Sequence, residues 1–361
     1  MADSPQYRQS DRLLVVMPSW VGDVAMATPT LRALRRLYPA ARITALVRAS
    51  VRPMLDPCPW IDRFVTVRAR KKGVNGLRRR GVLPLGRRLA AGKFDTAVLL
   101  PNSFRSALIA RMAGIPRRVG YDRDGRGFLL TDRLLPRKQM GGWVPVPTRD
   151  YYLGLARYLG AVEIDATMQL FTRPEQDDTA ATMLRKAGCE PGARPLVLLV
   201  PGASYGDAKM WSPARFAEVA DWCVKEHGAA VAVSGAPKER SVVRAVVDAA
   251  SQPIANLCEV GVDLGLLKSV IRTSSLVISN DTGPRHIAAA FGVPVVSLFG
   301  PTDPAWTRID FALERQIQIP VECGPCQLKK CPLDHRCMKL IEPGMVCEKA
   351  AELLARVPAS A

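Results

Sequence analysis

A carboxylate, a hydroxyl, a glycine and an imidazole lie close together in the segment SNDTGPRHIAAAFGVPVVSLFGPTDP, which begins at residue 279. The segment follows an apolar stretch, and the residues after the turn have the spacing of a helix. It therefore predicts a turn between a strand and a helix. Gly283 lets the backbone approach a ligand closely, and Pro284 suits the first position of a helix. The N–H groups at such a helix start favour a bound phosphate, and Thr282 adds a hydroxyl donor.

The polar residues of this turn have a simpler alternative role. Asp281 or Thr282 could cap the helix, as such residues commonly do. Asp-Thr-Gly followed by a histidine three residues later is more specific than a cap, and we interpret the group as a site for a nucleotide phosphate. His286 either contacts that phosphate or holds the loop, and the presence of only three histidines in the chain favours contact.

The segment PSWVGDVAM, residues 18–26, predicts a matching turn near the start of the chain. Gly22 allows the backbone to pass close to a ligand, and Asp23 stands at the start of a helix. A carboxylate there can cap the helix, bind a ligand or act as a general base, which typically accelerates a reaction about 10²–10⁴-fold. The residues alone leave these roles open.

Two further loops follow predicted strands, PGASYGDAKMW at 201–211 and GAPKER at 235–240. Lys209 is a mobile positive charge suited to a pyrophosphate, although most loop lysines are simply solvated. Ser204 is a second candidate for hydrogen bonding to phosphate. Glu239 either accepts hydrogen bonds from ribose hydroxyls or stabilises the first turn of the next helix.

A cysteine-rich segment, CGPCQLKKCPLDHRC at 323–337, forms a separate signal. It contains Cys323, Cys326, Cys331 and Cys337. The CxxC spacing in an intracellular chain favours a structural zinc ion, but a full zinc ribbon has two such pairs, so reduced thiols and disulfides remain alternatives. No motif indicates a cofactor needed for catalysis.

Short aliphatic strands alternate with amphipathic helices and position these turns. The pattern begins with LLVVM at residue 13 and restarts with LVLLV at residue 196. In the first half it also predicts a helix near residues 50–55 and a basic helix at 77–91. Such alternation predicts an α/β protein with two doubly wound parallel-sheet domains, which we place at 1–174 and 175–361 around the segment FTRPEQDD. Ligands of such sheets bind at the carboxyl ends of the strands, where all the turns above lie.

Composition and net charge indicate which class of ligand or partner to expect. The chain has 361 residues, of which 48% are hydrophobic, and a formal charge of +18, so we expect anionic ligands. The basic stretch at 68–88 is either a solvated surface or a site that docks on an anionic membrane. Nucleic acid is not expected, because no aromatic residues are interleaved with that charge. The polar start and the absence of an apolar span favour a cytoplasmic protein.

Taken together, PSWVGDVAM, LPNSFRSAL, the PGA…KMW loop, GAPKE and SNDTG..H resemble the lipopolysaccharide heptosyltransferases of glycosyltransferase family 9, most closely its type II members. The motifs occur in both halves of the chain. The resemblance implies a GT-B architecture, in which two Rossmann-like domains face each other across a cleft. It also implies an inverting transfer of heptose that requires no divalent metal.

The resemblance also implies roles for particular residues. Asp23 would be the catalytic base. The first domain would bind the acceptor, a lipid A–core oligosaccharide, and the second domain would bind the donor, ADP-L-glycero-β-D-manno-heptose. The candidate acceptor-binding residues are Gly22, Asn102 and Ser103. The candidate donor-binding residues are Ser204, Lys209, Glu239, Asp281, Thr282, Gly283 and His286.

Some features leave alternatives open. After its glycine, the turn has the sequence Pro-Arg-His, whereas the family often has Leu-x-His or Met-x-His. We expect Arg285 to add positive charge near the phosphates. Another heptosyltransferase of the same family, or a nucleotide-sugar 2-epimerase of the same architecture, would share most of these motifs. The basic charge by itself suggests an RNA-binding protein, which no motif supports.

Overall fold

The computed structural model describes residues 7–67, 81–139 and 142–356 of the chain. Contacts divide the chain into two compact units, Met1–Gln169 and Leu170–Ala361. This division falls N-terminal to the segment 171–178 in which we placed the domain boundary, so the whole segment belongs to the second unit.

The described part of the first unit contains a parallel sheet and a short antiparallel pair. Its strands are β1 (Arg12–Val16), β2 (Arg42–Arg48), β3 (Arg63–Val67), β4 (Thr96–Leu99), β5 (Arg117–Tyr121), β6 (Asp132–Leu134), β7 (Lys138–Gln139) and β8 (Gly142–Trp143). The parallel sheet has the order β3-β2-β1-β4-β5-β6, and β7 pairs with β8. Leu13, Leu14 and Val15 of β1 are fully buried, as expected for a strand covered on both faces.

Helices connect these strands. They are α1 (Val21–Met26), α2 (Thr28–Leu37), α3 (Leu83–Ala90), α4 (Phe104–Met112) and α5 (Thr148–Tyr158). The apolar spacing from Val24 to Leu34 allows one continuous helix, but the structure interrupts it at Ala27 and begins α2 with Pro29 in its first turn. Proline lacks the N–H that a helix interior requires, so it is accommodated at a helix start.

Two sequence predictions in this unit need correction. The helix expected near residues 50–55 is only a 3₁₀ turn, Arg52–Leu55, because Pro53 and Pro57 limit its length. The basic helix expected at 77–91 is described as α3, which starts at Leu83 with Pro84 in its first turn. Residues 68–80 of the basic stretch lie outside the described residues.

The second unit repeats the same topology. Its described strands are β9 (Leu196–Val200), β10 (Ala230–Val233), β11 (Ala255–Asn256), β12 (Leu276–Asn280), β13 (Val295–Phe299) and β14 (Glu314–Gln318). Its described helices are α6 (Pro174–Lys186), α7 (Pro213–His227), α8 (Arg240–Ala249), α9 (Leu264–Thr273), α10 (Gly283–Phe291), α11 (Arg336–Lys339) and α12 (Pro343–Leu354). The parallel order is β11-β10-β9-β12-β13-β14.

Both strand orders are those of a Rossmann-like sheet, which confirms the predicted fold class. In such a sheet the connections diverge on either side of one central position, and a crevice opens there beyond the carboxyl ends of the strands. That position lies between β1 and β4 in the first unit and between β9 and β12 in the second. Four of the polar turns found in the sequence follow these four strands, and the fifth, GAPKER, follows β10.

Candidate active site

The centre of the candidate site in the second unit is an ion pair between Lys209 and Asp281. The Nζ atom of Lys209 donates to Oδ2 of Asp281 over 2.5 Å and to its main-chain oxygen over 3.0 Å. Lys209 lies in the loop after β9 and Asp281 directly follows β12, so the pair spans the central position of the sheet. Lys209 is therefore a buried, paired cation, and the solvated-lysine alternative is wrong.

Asp281 accepts further hydrogen bonds. The hydroxyl of Thr302, in the loop after β13, donates to Oδ2 over 2.9 Å, and Arg285 lies 3.5 Å from Oδ1. Burial by itself would raise the pKa of Asp281, but the charges of Lys209 and Arg285 outweigh it and hold the pKa below its usual range. Asp281 is thus an ionised carboxylate that fixes the position of the lysine.

Arg285 is not a charge available to phosphate, which corrects our expectation. Its side chain is fully buried and forms a bidentate ion pair with Glu314. Nε donates to Oε1, and Nη2 donates to Oε2 over 3.1 Å. Ser297 also donates to Glu314 over 2.7 Å. Because β14 supplies the partner carboxylate, the guanidinium braces the first turn of α10 from inside the unit.

His286 lies in the same turn and is also buried, at 3% exposure. Burial, together with the positive charge of Arg285, lowers the pKa of His286 to about 3, so the ring is neutral near pH 7. Its Nδ1 atom has no hydrogen-bond partner among the described residues. Contact between His286 and phosphate stays a prediction, and a neutral ring would have to make it.

The start of α10 remains accessible beside these buried groups. Thr282, Gly283 and Pro284 are partly exposed, and Thr282 occupies the capping position without a side-chain capping bond. Its hydroxyl instead donates to the main-chain oxygen of Asn280 over 3.2 Å. Main-chain N–H groups at a helix start lack partners within the helix, so they suit an anion.

Ser204 and Glu239 form a second polar group at the neighbouring strand ends. The Ser204 hydroxyl donates to Oε1 of Glu239 over 3.2 Å, and the Ala236 N–H donates to Oε2 over 2.9 Å. A Cβ atom on Gly202 would lie 2.3 Å from Oε2, so a larger residue there would displace this carboxylate from its present position. Glu239 therefore braces its own loop, and its role toward ribose stays a prediction.

In the first unit, Asp23 lies in the first turn of α1, the helix that follows β1. Asp23 is partly exposed, whereas Gly22 beside it is buried. The negative charge of Asp23 contributes, after burial, to raising the pKa of Tyr152 on α5. A partly exposed carboxylate at this position can reach a bound hydroxyl group.

Asn102 and Ser103 follow β4 and lie on the other side of the central position. Ser103 caps α4, because its side chain accepts from the Ser106 N–H over 3.3 Å. Asn102 accepts from the hydroxyl of Tyr151 over 3.2 Å and from Arg126 over 3.4 Å. The structure thus gives Ser103 a capping role and makes Asn102 part of a polar network.

That network continues into four residues that the sequence did not single out. We call them the cation–aromatic surface: Arg123, Lys138, Trp143 and Tyr151. The Arg123 guanidinium and the Lys138 ammonium each lie 4.4 Å from the centre of the Trp143 ring. Tyr151 stacks on Tyr121 at 3.7 Å. The basic and aromatic residues after β5 are visible in the sequence, but their proximity is not; the β7–β8 pairing, for example, places Lys138 opposite Trp143.

A profile for the family described as "Glycosyltransferase family 9 (heptosyltransferase)" matches residues 82–336. The chain belongs to glycosyltransferase family 9. The recognised resemblance is confirmed, and the protein is a glycosyltransferase.

Relatives of this family-9 chain are similar to it over most of its length. The lipooligosaccharide heptosyltransferase 2 of Haemophilus influenzae is 28% identical and covers 95% of this chain and 99% of its own. The lipopolysaccharide heptosyltransferase 2 of Salmonella typhimurium is 30% identical, with coverage of 82% and 84%. The structure of Escherichia coli ADP-heptose LPS heptosyltransferase II superposes with a TM-score of 0.78 at 27% identity, with coverage of 96% and 99%. These similarities confirm the GT-B fold class.

The cysteine-rich segment of the glycosyltransferase carries free thiols, as do its other cysteines. Burial raises the pKa of Cys337, and the nearby Cys331, Cys323 and Cys326 raise it further. Across residues 7–67, 81–139 and 142–356, no three His, Cys, Asp or Glu side chains are arranged to hold a metal ion. The structural zinc ion stays a prediction.

Within the described ranges, no helix combines the length and apolar character needed to cross a membrane. Most of the basic stretch at 68–88, namely 68–80, lies outside those ranges. Its docking on an anionic membrane stays a prediction.

Proposed function

We propose that this glycosyltransferase moves heptose from ADP-L-glycero-β-D-manno-heptose to the inner core of lipopolysaccharide, as a type II heptosyltransferase. The observation that carries the proposal is the Lys209–Asp281 pair beside the accessible start of α10. This places a cation and main-chain N–H groups at the central position of a Rossmann-like sheet, where a nucleotide diphosphate binds.

In the proposed donor site, the buried pair holds the ammonium group of Lys209 at a defined point. Asp281 accepts two hydrogen bonds from this group, and its third N–H donates to the pyrophosphate. The N–H groups near Gly283 donate to the same group, and the Thr282 hydroxyl joins them by exchanging its bond to the Asn280 oxygen for one to phosphate. When the bond between the anomeric carbon and ADP breaks, the negative charge that develops on ADP is stabilised by these fixed donors. In this proposal these donors take the place of a divalent metal.

In the proposed acceptor site, Asp23 acts as the general base. It accepts the proton of an acceptor hydroxyl while that oxygen forms a bond to the anomeric carbon of heptose. ADP departs on the opposite side, so the anomeric configuration inverts. The acceptor proton passes to Asp23, the new C–O bond replaces the bond to ADP, and the second unit stabilises the departing ADP.

The cation–aromatic surface is the proposed contact for the acceptor. It lies beyond β5 and β6 on the same sheet edge as Asp23 and Asn102. Sugar rings pack on aromatic faces, and anionic groups pair with Arg123 and Lys138. A saccharide that carries acidic groups would therefore extend from the Asp23 turn towards Trp143.

We further propose that the enzyme works in the cytoplasm, peripheral to the inner membrane and held there by basic surface residues. Net charge of +18 supports attraction to an anionic surface. Binding to vesicles that contain anionic lipid should fall steeply with added salt. Binding that is absent, or that does not respond to salt, would contradict this part of the proposal.

The deciding experiment is a transfer assay with purified enzyme, ADP-heptose and truncated core acceptors, read by mass spectrometry. An acceptor that gains one heptose residue, with release of ADP, supports the proposal. A parallel reaction without acceptor detects isomerisation of the donor, which a 2-epimerase would produce. Acceptors that already carry successive heptoses distinguish a type II enzyme from other family members. An enzyme that turns over none of them is not a heptosyltransferase of this pathway.

A further inference from the structure

The cysteine-rich segment, residues 323–337, contacts the loop that carries Lys209, residues 201–211. We propose that this segment is a clasp that positions Lys209 for the donor nucleotide, with His335 as the positioning residue. The inference rests on the proposed function, because it assumes that Lys209 binds the nucleotide. It gives a role to a segment that the transfer reaction itself does not use.

The first contact is with Ala208, the neighbour of Lys209. The Ala208 N–H donates to the main-chain oxygen of Lys329 over 3.1 Å. The Ala208 oxygen lies 2.7 Å from Nε2 of His335, which donates to it in the corresponding tautomer. Both main-chain polar groups of this residue are thus held by the clasp, so the backbone direction into Lys209 is set from outside its own loop.

The second contact is at Tyr205 and Gly206. The Tyr205 hydroxyl donates to the main-chain oxygen of Gln327 over 2.6 Å, and its ring lies 5.0 Å from Nζ of Lys209. A Cβ atom on Gly206 would lie 2.3 Å from the oxygen of Lys329. The two segments therefore approach so closely that any side chain at residue 206 would force them apart.

The clasp is anchored to the core at both ends of these contacts. Gln327 donates its N–H to the oxygen of Pro301 over 2.8 Å, next to the Thr302 that bonds Asp281. At the other end, Cys337 and Met338 are buried, and a Cβ atom on Gly300 would lie 2.3 Å from Sδ of Met338. Movement of the clasp would consequently disturb both sides of the Lys209–Asp281 pair.

Two residues of the clasp, His335 and Gln327, also have an unusual backbone conformation. His335 and Gln327 have φ angles of 63° and 58°, in the left-handed region that residues other than glycine rarely adopt. Each is also a residue through which the clasp reaches the Lys209 loop. Such conformations persist where surrounding contacts determine them, and they are common where a structure positions functional groups.

The test compares His335→Ala with His335→Gln, whose side-chain amide can donate to the Ala208 oxygen. Binding of ADP to the full chain is measured by calorimetry, with KM values for donor and acceptor and kcat measured separately. We expect His335→Ala to weaken ADP binding roughly fivefold to tenfold, as loss of one hydrogen bond predicts, and to raise the donor KM but not the acceptor KM. His335→Gln should recover most of this affinity.

Two further variants separate positioning from general stability. Tyr205→Phe removes the bond to Gln327 without opening a cavity, and we expect a smaller loss of ADP affinity. Leu333→Ala changes an exposed side chain of the same segment and should bind ADP as the wild type does. Unfolding temperatures of all variants are measured in parallel.

Equal ADP affinity of His335→Ala and wild type would overturn the clasp, as would a loss that His335→Gln does not recover. Equal increases in the donor and acceptor KM values would also overturn it, since they would indicate a general structural defect. A wild-type enzyme that binds ADP but fails to transfer heptose contradicts the proposed function but not the clasp. A wild type that binds no ADP contradicts both.

Discussion

Nζ of Lys209 lies 2.5 Å from Oδ2 of Asp281, and both side chains are buried in the second unit. A buried charge that loses its partner is costly, by about 3–5 kcal/mol. The same pair is the proposed anchor of the donor nucleotide. Stability and binding are therefore linked at this point, and suitable variants can separate them.

We predict that Lys209→Met lowers the free energy of unfolding by roughly 3 kcal/mol and weakens ADP binding at least tenfold. The double variant Lys209→Met/Asp281→Asn removes both charges and should regain most of the stability but not the ADP affinity. Denaturant unfolding and ADP titration measure the two effects. If the double variant binds ADP like the wild type, Lys209 does not contact the nucleotide.

We predict that Asp23→Asn lowers kcat by about 10²–10⁴-fold, because the amide cannot accept the proton of the acceptor hydroxyl. ADP affinity should be unchanged, since the proposed nucleotide contacts belong to the second unit. Asp11→Asn is a matched control, because Asp11 precedes β1 whereas Asp23 follows it. Near wild-type transfer by Asp23→Asn would remove this residue from the role of base.

His286 predicts a specific dependence of stability on pH. Burial lowers its pKa from 6.5 to about 3, so between these values the unfolded chain binds more protons than the folded one. Stability should therefore fall as the pH falls from about 6.5 towards 3, with a contribution near 2 kcal/mol at pH 5.

The comparison with His286→Gln isolates this contribution, because glutamine does not titrate. The difference in unfolding free energy between the two proteins is measured from pH 7 to pH 5. This range lies above the ordinary pKa of Asp281, so that carboxylate adds little to the difference. Parallel curves for the two proteins would show that His286 is not buried as a neutral ring.

The cation–aromatic surface predicts an effect confined to the acceptor. Trp143→Ala removes the ring that both Arg123 and Lys138 contact, and we expect the acceptor KM to rise by roughly fivefold to tenfold. ADP affinity and the donor KM should not change. Phe128→Ala, at another exposed aromatic residue of the same unit, serves as the control. An unchanged acceptor KM in Trp143→Ala would exclude this surface from acceptor binding.

The cysteine-rich segment is predicted to hold one structural zinc ion. Elemental analysis of enzyme purified without added metal should then give about one zinc per chain, and chelation should lower the unfolding temperature. Cys326→Ser should lose the metal, whereas Cys58→Ser, elsewhere in the chain, should retain it. Metal-free enzyme with thiols that react freely at Cys323 would instead support the reduced-thiol alternative.

The positions of the functional turns could be predicted from the sequence because each follows a short apolar run. The bounds of β9 and α7 agree with their aliphatic stretch and their Pro and Gly ends. Asp23 and Asp281 were identified in this way. These are local signals, carried by residues adjacent in the chain.

The partners of these residues were not predictable in the same way. Glu314 neutralises Arg285 from β14, and Thr302 bonds Asp281 from the loop after β13. Neither residue has a local pattern that distinguishes it from a solvated side chain.

The sequence by itself determined the alternation of strands and helices, the Rossmann-like class of both units and the residue types at the strand ends, since these depend on short-range periodicity and turn chemistry. Only the tertiary structure decided that Lys209 and His286 are buried, that Arg285 serves Glu314 and that the cysteine-rich segment holds Ala208. The physical reason is that ion pairing, desolvation and main-chain contacts depend on neighbours distant in the chain, which only the packed sheet brings together.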